Sequence, residues 1–71
     1  MKYLVIEVQN FGSGISTPTY AYDSENSANA KYHQILASAA ISSLPVHSAI
    51  MFTDEGFFLR GECFKHEPEE E

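Results

Sequence analysis

The chain has 71 residues, with one cysteine, three histidines, four Lys or Arg and ten Asp or Glu, for a formal net charge of −6. One cysteine excludes an internal disulfide, three scattered histidines give no ligand-pair spacing for a metal, and four basic residues are too few to meet a phosphate backbone. At 44% hydrophobic and 13% aromatic the chain is built to fold, but at a size where a core alone barely suffices, so oligomerisation is the remaining reinforcement.

The apolar run of Met1 to Ile6 is too short for a signal peptide and Glu7 interrupts it; no stretch approaches the roughly 20 apolar residues that span a bilayer. The expectation is a cytoplasmic protein with no membrane partner.

Lys2 to Gln9 reads as a first strand, with Leu4, Ile6 and Val8 on one face and Tyr3, Val5 and Glu7 on the other. Its β-branched residues suit a central position. Asn10 to Gly14 is a loop, and Ile15 to Tyr22 a second strand. Pro18 lies within that strand and cannot donate to a ladder, which assigns it to an edge. Ser24 is the expected N-cap of a helix, with Glu25 in its first turn. Ala28, Tyr32, Ile35, Leu36, Ala39 and Ser43 form its apolar stripe, and Leu44-Pro45 stops it.

A hairpin follows: Val46 to Thr53, a turn at Asp54-Glu55-Gly56, then Phe57 to Phe64. Its strands carry bulky side chains on both faces, where a sheet with one wet face alternates apolar and polar. Alternation puts Val46, Ile50, Phe52, Phe57 and Leu59 on one face, and Met51, Phe58 and Phe64 on the other. The order ββαββ specifies a two-layer α+β domain, a four-stranded antiparallel sheet of order 2-1-3-4 with one helix on one face. An order of 1-2-3-4 would bury the proline-bearing strand. Residues 1–65 form the single domain. Residues 66–71 hold four of the ten acids and read as an acidic disordered tail, without which the net charge is −2.

Candidate chemistry is sparse. A nucleophilic Cys63 needs a base in reach and a group to orient it, and Glu62 beside it would not lower a thiol pKa. A buried structural cysteine is the simpler expectation. His33, His47 and His66 stand at no metal-ligand spacing, and His47 is expected at the surface. Asp54 and Glu55, adjacent on a turn, point apart. Gly12-Ser13-Gly14 lacks the third glycine and the following helix of a dinucleotide loop. The aromatics Tyr3, Tyr20, Tyr22, Phe58 and Phe64 could stack bases, but the basic residues to hold a nucleic-acid backbone are missing. No catalytic, cofactor-binding or metal residues are assigned, and no cofactor is expected.

The stretch Ala30-Lys31-Tyr32-His33-Gln34-Ile35-Leu36-Ala37-Ser38-Ala39-Ala40-Ile41-Ser42-Ser43-Leu44-Pro45-Val46-His47-Ser48 resembles a signature of small uncharacterised proteins of Gram-positive gut bacteria and their prophages. The opening Tyr3-Leu4-Val5-Ile6-Glu7-Val8-Gln9, the Thr53-Asp54-Glu55-Gly56 turn and the proline-bearing acidic tail fit the same pattern. The resemblance implies a phage-associated accessory or structural context, with no assigned activity. The resulting expectation is a non-enzymatic protein that self-assembles, as a dimer or larger, and binds protein. Its interface would use Tyr3, Val5, Met51, Phe58 and Phe64 on the second sheet face, Ala37 and Ile41 on the helix back, or both. A phage anti-defence protein that sequesters a host factor or a small nucleotide signal is the alternative, and a Cys/His-dependent enzyme a more distant one.

Overall fold

The computed structural model describes residues 1–66. Its elements are β1 (Tyr3–Asn10), β2 (Ile15–Ser16), β3 (Thr19–Tyr22), α1 (Glu25–Ala40), β4 (Val46–Thr53) and β5 (Phe58–Lys65). Together they form an α+β fold of one helix on an open antiparallel sheet of five strands. β1 and β4 lie at the centre, paired without a break from Tyr3↔Thr53 to Asn10↔Val46. β5 flanks β4, while β2 and β3 share the far side of β1. The expected second strand is thus split by Pro18 into two short pieces on one edge. The Pro18 carbonyl still accepts from the Glu7 N–H at 3.0 Å, so the strand loses its continuity and keeps its place.

Local chemistry sets the other boundaries. The Ser24 hydroxyl accepts from the Asn26 and Ser27 N–H groups at 3.1 and 3.3 Å, satisfying two donors that a helix start leaves unpaired. The helix ends at Ala40, short of the expected proline stop, with Ile41 as its cap. His66 donates from Nε2 to the Ala39 carbonyl at 2.7 Å, and its own N–H donates to the Pro45 carbonyl at 2.9 Å. The first residue of the expected tail therefore ties β5 to the helix end; the other five lie outside the described residues. At the hairpin turn Gly56 takes φ +89°, a left-handed conformation that glycine adopts without a Cβ penalty.

The core is small and lies between α1 and one face of the sheet. Ala28, Tyr32 and Ile35 pack on Val5, Ala49 and Met51, with Tyr3, Tyr20, Tyr22 and Leu36 around them. Each large side chain buried here stabilises the fold by about 1.5–3 kcal/mol. The buried helix residues Ala28, Tyr32, Ile35 and Ala39 belong to the expected stripe.

The face beneath the helix is the reverse of the one expected. Val5 and Met51, read as interface residues on an uncovered face, have no exposed surface at all. Tyr3 packs against the same core and Phe64 lies half-buried on that side, opposite His47. The reason is shape. Ala49 and Ala28 are fully buried in one cluster, and small residues there let the helix backbone settle close to the sheet. Ile50 and Phe52 on the opposite face would hold it off. The helix also connects two parallel strands, β3 and β4, across β1, and the strong handedness preference of such connections governs the side on which it lies.

A second correction concerns Phe58. The register shifts within the hairpin, from Met51↔Arg60 to Phe52↔Phe58, which leaves Leu59 as an extra residue. Such a bulge reverses the sense of alternation beyond it. Phe58 therefore faces away from the helix, on the opposite side from Phe64.

Candidate functional site

With one helix on one face, the other face of the sheet has no second layer among the described residues. Alternation places Leu4, Ile6 and Val8 of β1 there, beside Ile50 and Phe52 of β4. Leu4 lies opposite Phe52, and Ile6 opposite Ile50. Phe58 of β5 extends the row across the next strand. Its ring meets that of Phe52 edge to face, with centroids 6.3 Å apart and planes inclined at 66°. This geometry suits the aromatic quadrupoles and holds a ridge of two rings above the sheet. Phe58 remains 62% exposed.

Gly61 sits beside this ridge. A Cβ on Gly61 would approach the Phe58 ring to 3.1 Å, so the ring leans over a position kept free of a side chain. A shallow groove of about 280 Å³ results, lined by Ser48, Ile50, Phe58, Gly61, Glu62 and Cys63. The strand positions that point to this face between Leu4 and Cys63 carry no charged side chain. An apolar surface of this kind has complementary chemistry with another apolar surface.

The residues expected at an interface are therefore scattered. Val5, Met51 and Tyr3 belong to the core side, and Phe64 lies half-buried there. Ala37 and Ile41 are exposed beyond the sheet layer, Ile41 at 87%. Phe58 alone joins the open sheet face. Leu4, Ile6, Ile50 and Phe52 were visible in the sequence as an apolar row, but a row that reads equally well as the covered side.

The other polar cluster is internal. The Glu7 carboxylate accepts from His47 Nε2 at 2.6 Å and from Gln9 Nε2 at 3.0 Å. The histidine and glutamate side chains are 5% and 14% exposed. His47, expected at the surface, is thus buried, drawn in by a carboxylate on the adjacent strand. Its Nδ1 is buried with no hydrogen-bond partner in the protein. Cys63, expected in the core, is instead exposed on the open face, opposite Ser48. The sheet separates it from His47 and from His66, whose ring reaches the helix end, so neither imidazole can act on the thiol. Among the described residues no group of three or more His, Cys, Asp or Glu side chains could hold a metal ion, and no helix is long and apolar enough to cross a membrane.

Among the described residues Tyr32 is the one buried group whose titration is displaced. Burial pushes its phenol above the usual value of 10, and the nearby Glu62 charge adds to the shift while Arg60 opposes it. No family model, curated protein or solved structure matches the chain.

Proposed function

We propose that this protein acts by binding protein, in the first instance a second copy of itself, rather than by catalysis. The observation that carries the reading is the open sheet face, where Leu4, Ile6, Ile50, Phe52 and Phe58 form a continuous apolar surface that no element among the described residues covers. Surfaces of this composition mark interaction sites. Covering Phe58 and its neighbours would contribute about 1.5–3 kcal/mol per large side chain, a substantial fraction of what a domain of this size has in total. The resemblance to small prophage-encoded proteins supports a phage-associated accessory or assembly role.

Sequestration of a small nucleotide is the weaker reading. The groove lies at the small end of the range for ligand sites, and Arg60 projects to the helix side. Light scattering at micromolar concentration tests the leading reading. The expected result is a dimer or larger for the native chain and a folded chain that associates more weakly for Phe58→Asp. A native chain that is monomeric there would sink it.

A further inference from the structure

The two edges of the sheet differ in kind. On one, Pro18 divides the edge into β2 and β3. On the other, β5 runs from Phe58 to Lys65 with no proline, and among the described residues no further strand pairs with it. Antiparallel pairs alternate between residues that exchange both backbone hydrogen bonds with the neighbour and residues whose backbone groups point away. The His66 N–H donates to the Pro45 carbonyl, which fixes the phase of that alternation along the hairpin. Arg60, Glu62 and Phe64 turn their backbone groups inward to β4. Gly61, Cys63 and Lys65 turn theirs outward, where β5 has no neighbour.

Resting on the proposed self-association, we infer that two copies join through β5, antiparallel and two-fold symmetric, with Gly61 facing Gly61 of the second copy. The outward groups limit the choice of register, since odd-numbered positions must face odd-numbered positions. Charge then selects among the symmetric registers. With Gly61 on the axis, each Arg60 stands opposite Glu62 of the second copy, twice per dimer, in the pair type whose Cα atoms approach to about 4.5 Å. With Arg60 or Glu62 on the axis, like charges face each other across it. With Cys63 on the axis, Glu62 faces Phe64 and no charge is matched. Charged residues commonly defend an exposed edge against pairing; here their order makes them complementary to themselves.

The side chains are placed for this. Arg60 and Glu62 lie on the helix side of the sheet, opposite Met51 and Ala49. Arg60 Nη1 donates to Asn29 Oδ1 of the helix at 2.9 Å, which holds the guanidinium on the helix side of β5 and leaves its other N–H groups for a carboxylate. Gly61, lacking a side chain, lets the two strands meet at the axis without a clash. The result is one sheet continuous across both copies, with the two open apolar faces side by side.

Charge exchange tests the register, and amide exchange tests the edge. Arg60→Glu and Glu62→Arg should each weaken association about ten-fold at low salt, and the double variant R60E/E62R should restore it. In the native chain the Gly61 and Cys63 amides should become protected from hydrogen exchange as concentration rises through the dimer range. An oligomer in which these amides exchange freely, or in which the double variant is no tighter than the single ones, overturns the edge pairing while leaving self-association intact. A native chain that stays monomeric overturns both.

Discussion

Met51 and Phe58 stood on one face by simple alternation, and the structure puts them on opposite faces with opposite duties. Replacing each by alanine separates the two arrangements. Met51 is fully buried between β1, the helix and β5, so Met51→Ala removes its contacts and leaves a cavity that a close-packed layer fills only in part. Such truncations cost about 2–5 kcal/mol. A domain of this length has about 4–11 kcal/mol in total, so a large share would be lost. At about 4–8 °C per kcal/mol, the melting temperature should fall by roughly 10 °C or more. Phe58→Ala, at a largely exposed position, loses chiefly its edge-to-face contact with Phe52 and should cost the monomer no more than about 1.5 kcal/mol. The assay is urea unfolding followed by circular dichroism at a dilution where association is absent. Association would otherwise stabilise the native chain more than the Phe58 variant. If Phe58→Ala at that dilution costs as much as Met51→Ala, the placement of the core is wrong.

Three further outcomes follow from the local chemistry. His47→Ala would strip the Glu7 carboxylate of its closest partner, leaving only Gln9, and should destabilise the fold towards the lower end of about 3–5 kcal/mol, read as a reduced urea midpoint. Gly56→Ala, forced into a left-handed conformation, should cost about 1–2 kcal/mol by the same measurement. Because the Tyr32 phenol ionises above 10 in the folded chain, its contribution to stability is complete below pH 10 and falls as pH rises from there through the folded value. The difference in unfolding free energy between the native chain and Tyr32→Phe, followed from pH 9 to 12, should therefore decline; a rising difference would contradict the burial of that hydroxyl.

Features written in neighbouring residues were legible in the sequence. The Ser24 cap, the helix stripe, the Gly56 turn and the edge position of the Pro18 strand all follow from steric or hydrogen-bonding rules that act over a few residues. The face of the sheet that the helix covers does not. Both faces carry enough apolar side chains to serve, and the choice turns on whether small residues such as Ala49 meet small residues such as Ala28 across the layers. That is a contact between distant parts of the chain. The bulge at Leu59 is likewise silent in a pattern of period two, because an extra residue inside Phe57-Phe58-Leu59 leaves a run of large apolar side chains in any register. His47 was misjudged for a related reason: its partner Glu7 is forty residues away and adjacent only once β1 and β4 pair.

Pro18 has a consequence for valency. A subunit with two intact edges could add neighbours at both sides and grow into a fibre without limit. Here one edge is divided by a residue that has no N–H to offer, and the other is unbroken. Under the proposed edge pairing each copy would offer a single adhesive strand, and growth through it would end at two.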